Sequence, residues 1–338
     1  MAVLAQTQSP VLSPPVAKRV SAPRAYSGVT LDDPYAWLED PEDPETIAYL
    51  KAENAFTEAV MAPTAALRET LYAEIVGREQ RTDVKVPFRM GDDFYYIRTE
   101  EGRDYDILCR KQGGLEAAEE ILLDLNALAG EYLALGAWAP SYDGRSLAYA
   151  LNETGGIDYT LFVKDLDSGA LLPERLPSDG HGFAWAADNR TLFYTRQDEM
   201  LRAADLLRHE IGSDPAADPI MYHEADPVFS LTVAISDSKA YLFLTSESFT
   251  TSEVRYLRAD DPTGDFTLFA PRRPGVTQAL EHHGDEFLVL SNEDAINFKL
   301  EAVPVADPAA SRREVMPHRA SALLERVDVF AGRLIVSG

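Results

Sequence analysis

The sequence predicts a mainly-β protein: an incomplete β-propeller, about five blades plus the start of a sixth, preceded by an N-terminal helical segment. Three observations predict it. A turn built on Asp or Gly returns near positions 92, 143, 188, 237, 284 and 332, at steps of 51, 45, 49, 47 and 48 residues. The apolar periodicity changes from helical to two at about Val84. Each interval between turns also holds several short alternating runs bounded by Gly, Asp and Pro. A period near this length, with about four strands per unit, is the mark of radial blades.

The clearest unit runs Ala137-Trp138-Ala139-Pro140-Ser141-Tyr142-Asp143-Gly144-Arg145-Ser146-Leu147-Ala148-Tyr149-Ala150. It returns as Phe183-Ala184-Trp185-Ala186-Ala187-Asp188-Asn189-Arg190-Thr191-Leu192-Phe193-Tyr194. Weaker copies surround Gly91-Asp92-Asp93, Asp237-Ser238-Lys239, Gly284-Asp285-Glu286 and Ala331-Gly332-Arg333. Further strands are expected at residues 106–110, 120–125, 159–165, 255–257, 266–269 and 297–303. Trp138, Trp185 and Phe229 are expected to pack against neighbouring blades, because stability in such arrays comes mainly from neighbour contacts. The run Leu334-Ile335-Val336-Ser337-Gly338 reads as a lone strand of a new blade, hence as a piece of a longer protein.

Ahead of the blades, residues 1–25 mix Pro, Ser, Ala and Gln and are expected to be a disordered tail. Residues 26–80 form the helical segment, and residues 81–338 the truncated propeller. Asp43 is suited to cap a helix with Pro44 and Glu45 in its first turn. Ile47, Leu50 and Val60 recur at helical steps through Met61. Pro63 is expected to open a second helix carrying Leu67, Leu71, Ile75 and Val76, with Gly77 ending it. This pair carries more apolar face than it can bury against itself.

Composition narrows the function. Net charge −25 argues against nucleic acid and against an anionic membrane surface. No stretch is long and apolar enough to span a bilayer. The start of the chain has the wrong order of charge and apolar residues for a secretory signal. Cys109 is the single cysteine, so no intrachain disulfide forms, and a cytoplasmic location is expected. Cys109 itself reads as a small buried hydrophobe.

Chemical motifs are sparse. There is no Gly-x-Ser-x-Gly elbow, phosphate-binding Gly-rich loop, His-Glu-x-x-His or Cys-x-x-Cys. His282-His283 reads as a hairpin tip, since adjacent strand residues point to opposite faces. Asp165-x-Asp167-x-Gly169 lacks the remaining ligands of a calcium loop and reads as a hairpin turn. No catalytic, cofactor-binding or metal residue is assigned within the chain, and no cofactor is expected.

A set of short blocks then carries a resemblance. Asp33-Pro34-Tyr35-Ala36-Trp37-Leu38-Glu39-Asp40 resembles the N-terminal signature of the prolyl oligopeptidase family of serine peptidases. Tyr49-Leu50-Lys51-Ala52-Glu53-Asn54-Ala55-Phe56-Thr57, Leu67-Arg68-Glu69-Thr70-Leu71-Tyr72, Val86-Pro87-Phe88 and Ile97-Arg98-Thr99-Glu100-Glu101-Gly102 narrow it towards the oligopeptidase B branch. Tyr194-Thr195, Arg208-His209, Gly212-Ser213-Asp214-Pro215, Thr250-Thr251-Ser252-Glu253-Val254, Phe269-Ala270-Pro271-Arg272 and Asn297-Phe298 follow in order, so coverage runs from about residue 26 to the end.

The resemblance implies a seven-bladed propeller and a C-terminal α/β-hydrolase domain carrying Ser, Asp and His, the latter absent from this chain. It implies hydrolysis of short peptides after Arg or Lys, with Ser attacking, His acting as base then acid, and Asp orienting the imidazole. The propeller would gate and size-filter access. The helical segment would wrap against the hydrolase domain, its expected partner alongside short basic peptides. For salt bridges between cover and body, the candidates are Arg98, Glu100 and Glu101 in loop 98–103. A second candidate loop is 152–158, where some relatives carry arginines and this sequence does not. The alternative is a non-catalytic propeller scaffold binding partner proteins, but its Gly-His and Trp-Asp dipeptides are missing. A propeller glycosidase would need a carboxylate pair, and none stands out.

Overall fold

The computed structural model describes residues 12–330 and 332–338. The chain divides into two compact units between Arg81 and Thr82. In the first, strands Pro23–Tyr26 and Val29–Asp32 form a hairpin. The hairpin begins inside the stretch expected to be a disordered tail, of which residues 1–11 lie outside the described residues. Residues 18–25 are tied down: Val20 N donates to Pro34 O at 2.9 Å, and Trp37 Nε1 donates to Lys18 O at 3.0 Å. Helix α1, Pro44–Met61, starts where Asp43 accepts from Glu45 N at 2.7 Å, with Pro44 in the first turn. A 3-10 turn at Ala62–Thr64 holds Pro63, and α2 follows at Ala65–Val76. Gly77 is its C-cap but keeps a right-handed φ of −66°, so the left-handed glycine ending is not used. No α2 residue is buried, and Leu50, Leu67, Leu71, Tyr72 and Ile75 are exposed.

The second unit is built from successive antiparallel sheets in which each strand pairs with the next in sequence. Blade 1 contains Asp83–Val84, Phe88–Met90, Asp93–Thr99, Ile107–Lys111 and Glu119–Asp124. Its first strand is split because Pro87 has no N–H to give a ladder. Blade 2 is Ala134–Pro140, Ser146–Asn152, Tyr159–Asp165 and Leu176–Ser178. Blade 3 is Phe183–Trp185, Thr191–Gln197, Ala203–Glu210 and Ile220–His223. Blade 4 is Ser230–Ile235, Tyr241–Glu247, Ser252–Arg258 and Thr267–Ala270. Blade 5 is Gln278–His283, Glu286–Ser291, Lys299–Pro304 and Arg313–Met316. In the sixth sheet Leu334 is not in a lone strand: Arg333–Ser337 pairs along its length with Arg326–Phe330. Ala331, between them, lies outside the described residues.

The repeated turn has one physical cause. The link from first to second strand needs a residue in the left-handed region, and it falls at Gly91 (φ 64°), Gly144 (68°), Asn189 (58°), Lys239 (59°), Gly284 (63°) and Gly332 (75°). Only Gly, and to a lesser degree Asn, adopt that region cheaply, which is why the sequence repeats there. Lys239 is the exception to that chemistry.

Strand alternation distributes each blade's side chains between two neighbours. On Ser146–Asn152, Leu147, Tyr149 and Leu151 join a core with Tyr95 and Leu108 of blade 1. The intervening Ala148 and Ala150 pack with Phe183, Trp185 and Leu192 of blade 3. The same sharing joins blade 3 to 4 through Phe193 and Leu242, blade 4 to 5 through Phe243 and Phe287, and blade 5 to the sixth sheet through Leu288 and Val327. Trp138 lies 5.7 Å from Tyr95 and 5.9 Å from Phe88 of blade 1, and Trp185 Nε1 donates to Ala139 O of blade 2 at 3.0 Å. Among the described residues, no helix is long and apolar enough to cross a membrane.

Candidate functional site

Topology gives the blades two unlike ends. Each first strand runs away from the preceding blade and the second returns, so turns 1–2 and 3–4 share one end, the turn end. Connections between blades and the loops from second to third strand share the other, the loop end. Chemistry differs between them. The turn end is closed by Asp, Asn and Gly turns. Loop tips at the loop end carry Ile157, Met200, Val228, Phe249 and Ile296 in the open. Phe249 is fully exposed, yet its turn is fixed by Ser248 N donating to Thr251 O at 2.8 Å and Thr251 N donating to Ser248 Oγ at 3.2 Å. An ordered, fully exposed Phe is costly to leave in water.

The predicted trio lies at this end of blade 1, but its members are not equivalent. Arg98 is mostly buried; its guanidinium donates to Glu100, and Nε to Glu119 Oε1 at 3.1 Å. Tyr96 Oη also donates to Glu119, at 2.5 Å. The hydrogen bond to Glu100 chiefly holds the Arg98 pKa above its ordinary value. Burial opposes ionisation of Glu119, but donation from Tyr96 and Arg98 outweighs it and its pKa falls. Arg103 Nε takes the other Glu100 oxygen at 2.8 Å and its Nη1 meets Asp124 at 3.2 Å. Arg98 and Glu100 are thus spent inside the blade. Glu101 is exposed; its backbone N donates to Thr82 Oγ1 at 3.2 Å, and its carboxylate has no ion pair among the described residues.

Loop 152–158 is closed on itself: Asn152 Oδ1 accepts from Thr154 N and Gly155 N, each at 3.0 Å, while Nδ2 donates to Gly156 O at 2.7 Å. Asp165 accepts from Ser168 N at 2.7 Å and Ser168 Oγ at 2.6 Å, an Asp-rich turn. His282 Nδ1 shares a proton with Ser238 Oγ at 2.8 Å, and its ring lies against Tyr241. Burial pushes the Cys109 thiol up to about 11, leaving it a poor nucleophile.

Two buried polar clusters were not foreseen. At the loop end, Arg272 Nη2 donates to Glu224 Oε2 at 2.6 Å, its N donates to Glu253 Oε2 at 3.1 Å, and its guanidinium stacks 3.9 Å over Phe229. Ser246 Oγ donates to the same Glu224 carboxylate. Burial would raise the Glu224 pKa, but Arg272, Ser246 and the Asp226 N–H reverse this and hold it at about 2. On blade 3, His209 Nδ1 lies 3.0 Å from both Asp218 oxygens, and Tyr194 Oη donates to Asp218 at 3.1 Å. Glu253, Arg272 and His209 each sit in a block that carried the resemblance. A charged residue inside an apolar alternation was the available signal.

Successive meandering sheets stacked through shared apolar seams define a β-propeller domain. Residues 14–338 match the family described as prolyl oligopeptidase, N-terminal beta-propeller domain. The chain therefore belongs to the prolyl oligopeptidase family. Protease 2 of Moraxella lacunata is 35% identical over 333 residues, covering 96% of this chain and 48% of that protein. Dipeptidyl aminopeptidase BI of Pseudoxanthomonas mexicana is also 35% identical, over 346 residues, with the same 96% and 48% coverage. The fold is similar to oligopeptidase B from Leishmania major, with TM-score 0.87, 27% identity and coverage of 96% of this chain and 49% of that one. The chain thus spans about half the length of these relatives.

Proposed function

We propose that this chain is the N-terminal and propeller portion of an oligopeptidase B-like serine peptidase, covering a hydrolase portion that carries Ser, Asp and His. The observation that carries this reading is the gathering of exposed apolar tips, Ile157, Met200, Val228, Phe249 and Ile296, at the loop end of the blades, where Phe249 is fully exposed. Docked there, a hydrolase portion would bury them, and the propeller would admit short peptides while holding folded proteins off its active site. Glu101, with no cation of its own among the described residues, is the member of the predicted trio best placed to bridge to that portion. The exposed faces of α1 and α2 would be covered in the same way. Net charge −25 supports short basic peptides as substrates and cleavage after Arg or Lys. A single buried, free cysteine fits a reducing cytoplasm.

The test of docking is a pair of charge substitutions at the tips. Phe249→Asp with Ile296→Asp should weaken binding to the separately produced hydrolase portion at least about tenfold, since about 1.4 kcal/mol suffices and two exposed apolar side chains exceed it. Both side chains are in water here, so the melting temperature of the chain should not fall. Unchanged binding would remove the loop end as the docking face.

A further inference from the structure

The outer rim between blades 1 and 2 holds an apolar recess of about 280 Å³. Ile121, Leu123, Leu128, Tyr149 and Leu171 line it together with Lys164. Ile121 belongs to the last strand of blade 1, Leu128 to the helical turn Leu125–Leu128 that follows it, and Leu171 bridges to Lys164 on blade 2. These three aliphatic side chains are exposed, at 48%, 45% and 46%. Strand alternation brings Lys164 to them. On Tyr159–Asp165, Leu161 and Val163 pack with blade 3, whereas Phe162 packs with blade 1 and Leu166 lies against the same core. Lys164, between Phe162 and Leu166, therefore enters the seam between blades 1 and 2. A bulge meets it there. Leu108 pairs with Leu123 and Cys109 with Ile121, so Leu122 has no partner across the ladder. Lys164 Nζ donates to the Leu122 carbonyl at 2.7 Å.

The charge on Lys164 is left unanswered. The nearby carboxylates are committed elsewhere: Glu120 to Arg110 at 2.8 Å, and Asp124 to Arg103 at 3.2 Å. Among the described residues no carboxylate lies within ion-pair distance of Lys164 Nζ, and burial lowers its pKa, with Glu120 opposing only in part. A half-buried ammonium with a carbonyl but no anion is short of a partner. We propose that this recess binds a small aliphatic monocarboxylate, with the carboxylate on Lys164 and the alkyl chain against Ile121, Leu128 and Leu171. The cation selects an anion, and the walls select an alkyl chain. The volume falls just below the range of about 300–1,000 Å³ that takes drug-sized ligands, so one short chain fits and a folded partner does not. A peptide C-terminus would bring its last amide against the same apolar walls at a cost in desolvation, which favours the free acid.

The test is a ligand-observed NMR titration of the whole chain with hexanoate at neutral pH. Hexanoate should bind at least about tenfold more tightly than acetate, which lacks the chain, and than hexylamine, which has the wrong charge. Lys164→Met keeps the stem and removes the charge, and should weaken hexanoate binding at least about tenfold. Ile121→Asp should do the same, because it places an anion beside Lys164 and removes an apolar wall. Ile121 is half-exposed, so this second variant should keep the melting temperature of the parent and report on the site even if Lys164→Met unfolds. Equal binding of hexanoate and hexylamine, or full hexanoate affinity in Ile121→Asp, would overturn the site. Tighter binding of acetyl-alanyl-leucine than of hexanoate would overturn the assignment to a free acid. None of these titrations involves a hydrolase portion, so this site and the docking of the loop end fail separately.

Discussion

Phe287→Ala should lower the unfolding free energy by about 3–5 kcal/mol, among the largest effects available to a single truncation. Phe287 is fully buried in the seam between blades 4 and 5. Its ring centroid lies 4.9 Å from Tyr256, 5.1 Å from Tyr241, 5.9 Å from Phe243 and 6.0 Å from Phe269, in edge-to-face and tilted arrangements. Such pairs add to the area term, and four rings braced against a rigid strand cannot collapse into the hole. Phe287→Leu should cost less, because it keeps most of the volume. Urea titration of both variants measures the difference; a loss below about 1 kcal/mol for the alanine variant would show that the seam is not a close-packed core.

Arg272→Met should be comparably costly, about 3–5 kcal/mol at neutral pH, because it strands a buried carboxylate. The Glu224 side chain is only 4% exposed, and Arg272 is its only ion-pair partner among the described residues. The pH dependence follows from the depressed pKa. Glu224 sits at about 2 in the folded state against an ordinary 4.5, so between those values the unfolded chain binds the extra proton. The pair therefore contributes about 2–3 kcal/mol above pH 5, lost as the pH falls towards 2. In Arg272→Met that acid limb should flatten. A variant that keeps the full stability of the parent at pH 7 would remove the network from the account of the loop end.

The blades were legible because two strong local rules coincide. Alternation along Ser146–Asn152 and its counterparts sets which residues face which neighbour, and the left-handed turn residue punctuates every unit at Gly91, Gly144, Asn189 and Gly284. The first strand of the sixth sheet is not legible in the sequence because Arg326 and Asp328 blur its alternation, and only pairing with Arg333–Ser337 makes it a strand. Residues 18–25 have the composition of a tail, and their order comes from contacts with Pro34 and Trp37, which composition does not show. Of the candidate loop 98–103, Arg98 and Thr99 belong to the strand Asp93–Thr99, and sequence could not say that Arg98 and Glu100 satisfy each other. Glu224 and Arg272 lie 48 residues apart, and their meeting depends on two connections between blades. Short-range pattern carries no trace of it.

The central claim is that this chain covers a peptidase active site without containing one. The direct measurement is cleavage of an arginyl arylamide and of a short peptide with an internal Arg, by the purified chain alone and by the chain combined with its hydrolase portion. The internal Arg separates cleavage after a basic residue from release of dipeptides, the activity that names the Pseudoxanthomonas mexicana relative. The account predicts no turnover by the chain alone, and cleavage after Arg in the combination, with a folded protein substrate left intact. Turnover by the chain alone that survives repurification and is abolished by a substitution within it would contradict the account.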